Sequence, residues 1–569
     1  MPARFSTRIL IVLAALLLPC APAAHASPSA AAPATDPRIG ALLEPWSKAD
    51  GPGVQVSVML DGKVVGSFAT GGADLEHGIP VTPDSVFHAA SLSKQITAFA
   101  ILLLEQDGLL SIDDPLTRHI PEAAPLGPVT LRQLLNHTSG LRDQYTLMAA
   151  AGWRAEDLLT DGQAVAMLIG QRGANFAPGT QYQYINSDYT LLAEIVRRLS
   201  GKSLDAFCRE RIFLPLGMEH TRFQDDVTAI IPGRAESYRR TRTGYARSPL
   251  SYTLTGPTGL ATTAGDLGRW ARNFETATIG SPRLFRRMEE RGVLRDGTVN
   301  AYAIGQEYRR WHGLDVWMHG GRDAGFRSFL LRVPGERFSV AVLGNVADLN
   351  SARLAFALAD IYLADRPGYR VEPAAAPAAP TPRQLASYAG AYELFPGLIF
   401  TVSTDGKRLL FAPLGDDKPA ALPALSGDRF ALDAKADIAL EFPAPVKGKT
   451  PHLVYRVGMD GFLVAPRIDL KPFAPSGARL ADYAGRYWSE ELKTAYDLIV
   501  KDGRLIARHP RRDDIGLTPY QPDTFSSAEF FFERLVFERG PDGSVTGMLV
   551  SGPVAENMRF VRKPNGAPR

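Results

Sequence analysis

The feature that most constrains this 569-residue chain is a repeat in its last third. Leu385-Ala386-Ser387-Tyr388-Ala389-Gly390-Ala391-Tyr392 returns as Leu480-Ala481-Asp482-Tyr483-Ala484-Gly485-Arg486-Tyr487. Each copy runs into an alternating strand pattern and an Asp-Gly turn, at Asp405-Gly406 and Asp502-Gly503. Two copies are too few for a solenoid, which needs about three or more stacked units to bury a continuous core. They predict two similar small antiparallel β-barrel domains, over 384–474 and 478–565. An Ala/Pro-rich linker over 371–383 separates them from everything before.

The residues ahead of that linker, 37–370, have a different texture. Asp61-Gly62 between apolar runs at 54–60 and 63–68 signals one hairpin, and Pro334-Gly335 between 326–333 and 338–343 a second. Between them, 92–106 and 187–199 carry helical patterns, the latter stopped by Ser200-Gly201. Strands at both ends with helices between predict an α+β unit, an antiparallel sheet flanked by helices. Charge excludes little by itself, since 63 basic side chains face 60 acidic ones. The basic run Arg239-Arg240-Thr241-Arg242 is too short for a nucleic-acid footprint. Arg511-Arg512 are followed at once by Asp513-Asp514, which are expected to neutralise them.

The first segment reads as an export signal. Arg4 and Arg8 precede the apolar run 9–18, and Ala24-His25-Ala26 offers small residues for cleavage, so 1–26 is a signal peptide pattern. Ten apolar residues are too short to span a bilayer, and no later stretch is long enough. The expectation is an exported protein, periplasmic or secreted, with no membrane span after cleavage. Pro19 makes Cys20 a poor lipidation site, and Cys208 then stands alone, so packing rather than a disulfide must supply stability.

Three short patterns carry the chemistry: Ser91-Leu92-Ser93-Lys94, Tyr184-Ile185-Asn186 and His319-Gly320-Gly321. Each is weak alone; their order and setting make them informative. A serine hydroxyl is a poor nucleophile at neutral pH and needs a base. Lys94, three residues after Ser91 on a predicted helix, shares its face. It can act as that base if burial and its neighbours leave the amine neutral. A helix start also offers unpaired N–H groups beside the nucleophile. No Gly-x-Ser-x-Gly elbow, phosphate loop or His-Glu-x-x-His occurs, so neither a metal nor another cofactor is expected. Trp153, Trp270, Trp311 and Trp317 read by default as core packing, with lining the cleft as the alternative for any of them.

Phe87-His88-Ala89-Ala90-Ser91-Leu92-Ser93-Lys94 resembles the nucleophile segment of the family of class C β-lactamases, D-alanyl carboxypeptidases and D-aminopeptidases. Leu134-Leu135-Asn136-His137-Thr138-Ser139-Gly140-Leu141, Pro178-Gly179-Thr180, Gly259-Leu260-Ala261-Thr262-Thr263 and Gly325-Phe326 resemble further segments of it, over roughly 40–365. The resemblance implies an acyl-enzyme on Ser91, with Lys94 and Tyr184 moving protons and Asn186 orienting the substrate amide. It also implies that His319 completes the polar network and that the N–H groups of Ser91 and Arg322 form an oxyanion hole. Family members with Thr where this chain has Gly320 use its hydroxyl on a substrate carboxylate, so Gly320 beside Gly321 suits a substrate lacking one.

D-aminopeptidases resemble the chain more closely, with a His-Gly-Gly motif and two following barrels. In them a loop of the last barrel restricts the substrate. Its counterpart here is expected at 509–517, where Asp513 or Asp514 either pairs with a substrate ammonium or simply balances the adjacent arginines. Three readings stay open: a D-aminopeptidase, an esterase or β-lactam- or D-Ala-D-Ala-directed hydrolase of the same fold, and a non-catalytic cell-envelope binding protein. The expected partner is a small peptide, amide or ester, with a homodimer left open.

Overall fold

Asp61 and Gly62 both adopt positive φ, 52° and 75°, the backbone twist that lets a two-residue loop join strands without splaying them. Strand β1 (Val54–Leu60) therefore folds back as β2 (Lys63–Thr70). The computed structural model describes residues 36–371 and 379–564, apart from 417, 427, 434–437, 458–460, 472 and 474. The expected signal segment 1–26, with Cys20, and most of the Ala/Pro tract lie outside the described residues. Cys208 is a buried free thiol.

Four strands from the far end of the unit complete the sheet: β3 (Glu307–Trp311), β4 (Leu314–Asp323), β5 (Phe326–Val333) and β6 (Phe338–Gly344). The order is β3-β4-β5-β6-β1-β2 with every pair antiparallel, and Val54 lies opposite Gly344. Alternation decides what each face meets. Val54, Val56 and Val58 join Phe329, Leu331, Val340 and Val342 under helices α1 (Pro37–Leu43) and α5 (Ser351–Leu363). Gln55 and Ser57 face the other way: Gln55 Oε1 accepts from the N–H of Ala264, which opens α4 (Ala264–Thr276).

Beyond α4 lies a helical region built around α2 (Ser93–Gln106) and α3 (Ser187–Ser200). Ser93 through Leu104 are all buried, so α2 is enclosed on every side, as expected of a helix at the centre of a core. Ile96, Phe99, Ile101, Leu102 and Leu103 each contribute about 1.5–3 kcal/mol by burial, which makes α2 a rigid base for the residues at its start. Among the described residues no helix is long and apolar enough to cross a membrane.

Both repeat units form antiparallel sheets curled into barrels. The second closes fully: eight strands, with Gly485–Ser489 paired to both Thr494–Lys501 and Ala555–Lys563. The first is a nine-stranded sheet that stops just short of closure. Its edges, Ala420–Leu422 and Ala424–Ser426, flank Pro423, which has no N–H to offer a ladder. The gap is bridged instead by the N–H of Ala431 donating to the Pro423 carbonyl at 2.8 Å.

The repeated octapeptide has a physical reason in each unit. The Tyr392 hydroxyl donates to the Tyr388 carbonyl (2.5 Å) and that of Tyr487 to Tyr483 (2.7 Å). Gly390 and Gly485 lie under the guanidinium groups of Arg467 and Arg562, each from the last strand of its barrel. A Cβ would come within 2.6 and 2.8 Å of them.

Candidate active site

Ser91 sits in a single 3₁₀ turn, Ala90–Leu92, that runs directly into α2. Ala90, just before it, has φ of +49°, a left-handed conformation that costs a non-glycine residue about 1–2 kcal/mol. The surroundings hold it there. Ser93 Oγ donates to the Ala90 carbonyl (2.6 Å) and accepts from the N–H of Leu260 (3.0 Å). Ser328 Oγ donates to the Ala89 carbonyl (2.6 Å), tying the turn to β5.

Lys94, one helical turn on, is fully buried. Its Nζ lies 3.2 Å from Ser91 Oγ and donates to Asn186 Oδ1 (3.0 Å) and the Pro257 carbonyl (2.9 Å). The Tyr184 and Tyr189 rings stand 4.6 and 5.7 Å away. Burial in this aromatic box lowers the lysine from 10.5 to about 7, although Asp143, Asp323 and Asp188 oppose the shift. A neutral amine has two N–H bonds and one lone pair. Asn186 Oδ1 and the Pro257 carbonyl can only accept, so they consume the two N–H bonds and the lone pair faces Ser91.

Asn186 heads α3 and is held by Asp143. Asp143 Oδ2 accepts from the Asn186 backbone N–H (2.8 Å) and from its Nδ2 (3.2 Å), which turns Oδ1 toward Lys94. The other Asp143 oxygen caps the helix Gln144–Ala150 through the N–H of Tyr145 (2.9 Å). Asn186 is thus engaged by protein groups at both ends of its amide. In this arrangement the oxygen of Asn186 positions the lysine.

Tyr184 hydrogen-bonds Ser91, and burial pushes its phenol well above the usual range, so it stays protonated. Its ring packs 4.5 Å from that of His137, whose Nδ1 lies 2.9 Å from Asp188 Oδ2; Ser139 Oγ donates to Asp188 Oδ1 at 2.6 Å.

Strand β4 forms the opposite wall. His319 Nδ1 lies 2.7 Å from the Gly320 carbonyl, which only accepts, so Nδ1 carries the proton and Nε2 accepts from the Tyr302 hydroxyl at 2.9 Å. Burial, reinforced by Lys94, holds the ring at about 3 and keeps it neutral. His319 therefore meets Tyr184 through ring packing, with centroids 6.0 Å apart, and through Tyr302. Gly321 is demanded by close approach: a Cβ would stand 2.2 Å from Ser328 Oγ and 2.5 Å from the Ala89 carbonyl. Gly320 is under less pressure, because its Cβ would meet the edge of the Phe329 ring at 3.3 Å and the Ser328 carbonyl at 3.9 Å. Arg322 follows at the exposed end of the strand.

The turn carrying Asp513 and Asp514 does dock on the catalytic unit, through its arginines. Arg511 pairs with Asp157 (2.7 Å) and Arg512 donates to the Trp153 carbonyl. The expected neutralisation of these arginines by their neighbours is thus replaced by contacts across the domain boundary. Asp514 pairs with Arg508 of its own barrel (3.1 Å), and both aspartates are exposed. Among the described residues no hydrogen bond joins either one to Ser91, Lys94 or Tyr184.

Another last-barrel segment reaches the residue that holds Asn186: the hairpin between Val545–Gly552 and Ala555–Lys563, whose Val554 carbonyl accepts from the N–H of Asp143 at 2.8 Å. Sequence reasoning missed this hairpin, Asp143 and Tyr302, none of which lies in a motif. His137 does lie in one, without a role being read from it.

The Beta-lactamase family matches residues 39–364. A D-aminopeptidase of Gluconobacter oxydans (strain 621H) is 28% identical over 528 residues, covering 90% of this chain and 96% of its own length. A D-aminopeptidase of Brucella anthropi is 27% identical, with 90% and 95% covered. Among solved structures, the octameric penicillin-binding protein homologue from Pyrococcus abyssi aligns with a TM-score of 0.53 at 22% identity, over 75% of this chain and 98% of its own. The D-amino acid amidase from Ochrobactrum anthropi SV3 complexed with L-phenylalanine aligns with 0.51 at 22% identity, over 58% and 100%. The buried lysine beside a strained serine turn, on this sheet and ahead of two barrels, has its explanation there: the chain belongs to the Beta-lactamase family and is a serine hydrolase of that fold.

Proposed function

We propose that the chain is an exported D-aminopeptidase-like enzyme that releases N-terminal D-residues from small peptides or amides through an acyl-enzyme on Ser91. The observation that carries this reading is the bonding of Lys94: its two N–H bonds are spent on pure acceptors and its lone pair meets the serine. Ser91 Oγ attacks the substrate carbonyl as its proton passes to Lys94. The oxyanion is stabilised by the N–H groups of Ser91 and Arg322, a contribution of roughly a few kcal/mol. Collapse of the tetrahedral intermediate breaks the C–N bond, and the lysine proton reaches the leaving amine through Tyr184. Water then hydrolyses the ester by the same route in reverse, with His319 a neutral wall of the site. Similarity to D-aminopeptidases along 90% of the chain, barrels included, favours a substrate with a free amine. The absence of a hydroxyl at Gly320 favours one without a carboxylate beside the scissile bond. Export rests on the pattern of residues 1–26.

Hydrolysis of D-alanine p-nitroanilide by the chain lacking 1–26, with Ser91→Ala as blank, tests the proposal. Turnover lost in that variant and with the N-acetylated substrate is expected. A well-folded protein that turns over esters or β-lactams but not the anilide would overturn the aminopeptidase reading.

A further inference from the structure

We propose that the last barrel is a working part of the catalytic apparatus: its 552–557 hairpin and Glu491 clamp the segment Arg142-Asp143-Gln144, which orients Asn186 and, through it, Lys94. The proposal rests on Lys94 as the base. It concerns the lysine and not a barrel loop that limits the substrate.

The clamp grips from two sides. On the barrel side, the Val554 carbonyl accepts from the N–H of Asp143 (2.8 Å) and from Asn175 Nδ2 (3.0 Å), while the N–H of Glu556 donates to Asn175 Oδ1 (2.9 Å). Arg142 donates to Glu491 at 2.9 Å and to the Asn557 carbonyl at 2.8 Å. The Arg142 and Glu491 side chains are only 4% and 8% exposed. On the other side, Ser187 Oγ donates to the Arg142 carbonyl (2.8 Å) and accepts from the N–H of Gln144 (2.7 Å). The Asp143 carbonyl accepts from the N–H of Leu147 (3.0 Å), which leaves one backbone donor and two carboxylate oxygens. The oxygens serve Asn186 and the helix start; the donor is served by the barrel alone.

Removing the barrel's grip leaves the Asp143 N–H without a partner and the buried Arg142 guanidinium with Gln171 Oε1 (3.3 Å) alone, an unfavourable state that the segment relieves by moving. Asn186 then loses the carboxylate that turns its oxygen to Lys94, and water reaches the amine. Because burial is the largest cause of the lysine's depressed proton affinity, hydration raises that affinity. Arg142, Glu491 and Val554 are accordingly positioning residues.

The test uses the full chain and a fluorophosphonate probe, which reads Ser91 activation independently of any natural substrate. Ser91 Oγ attacks phosphorus, the P–F bond breaks, fluoride leaves and the serine proton passes to Lys94. The labelling rate is measured from pH 5 to 10 for wild type, Arg142→Met and Glu491→Gln, with melting curves to confirm folding. The control is Arg511→Ala, which removes a contact of the same barrel, to Asp157, that involves none of Arg142, Asp143 and Gln144. We expect the two clamp variants to label at least tenfold more slowly at pH 8, with the acid midpoint moved upward. Arg511→Ala should stay within about twofold. Folded clamp variants with wild-type rate and midpoint overturn the proposal, and so does an equal loss in the control. A wild type that never labels sinks the base assignment itself, whatever the barrel does. If Arg142→Met fails to fold, the isosteric Glu491→Gln decides.

Discussion

Replacing Lys94 with methionine should make the folded chain more stable at neutral pH while abolishing its chemistry. The lysine holds a proton to about pH 7 in the folded protein and to the usual 10.5 when unfolded. Between those values the unfolded chain binds more protons, so stability rises with pH by about 1.4 kcal/mol per unit. Across the window this amounts to about 5 kcal/mol, the cost of keeping an ammonium dry below pH 7. Methionine fills a similar volume without charge but strips the donors from Asn186 Oδ1 and the Pro257 carbonyl, about 1 kcal/mol each. The variant should therefore gain about 2 kcal/mol at pH 7, match wild type near about pH 9 and be the weaker protein above it. Urea unfolding of both full-length proteins, followed by tryptophan fluorescence from pH 6 to 10.5, measures the difference. A stability difference that does not vary with pH would refute the argument, because only a proton taken up on unfolding produces the slope.

The same lysine sets the rate profile: kcat/KM should rise tenfold per pH unit up to about pH 7 and stay level to about pH 9, since Tyr184 remains protonated there. An acid limb centred near pH 5 would move the base role elsewhere. Gly321→Ala should fold but lose at least about 100-fold in kcat/KM, because its methyl group pushes β4 off the nucleophile turn. Gly320→Ala should keep activity within about threefold; equal effects would mean that close approach is not what selects these glycines. Tyr302→Phe, which removes the donor to His319 Nε2, should destabilise by about 1 kcal/mol and slow turnover with KM nearly unchanged. A wild-type kcat would separate His319 from catalysis.

Much of this molecule is written locally and is legible for that reason. The spacing of Ser91 and Lys94 places both at one helix start because an α-helix repeats every 3.6 residues. Asp61-Gly62 and Asp502-Gly503 announce hairpins because their backbone conformations suit few other residues. The repeated octapeptide announces two similar barrels because the same tyrosine and glycine requirements recur in each. Asp513 and Asp514 drew attention for their charge, yet charge alone does not say which way a turn faces. Asp514 meets Arg508, while the arginines cross to the catalytic unit.

By itself, then, the sequence determined the order of elements, the serine–lysine pair and the family to which they belong, since each depends on residues a few positions apart or on a recognisable run. Only the tertiary structure decided whether Lys94 is dry enough to be neutral and which acceptors take its two N–H bonds. It alone brought Asp143 beside Asn186 and a carbonyl from residue 554 beside Asp143. Those outcomes depend on desolvation and on backbone groups that every residue carries, brought together across hundreds of positions, and such contacts leave no mark on the identity of the residues that make them.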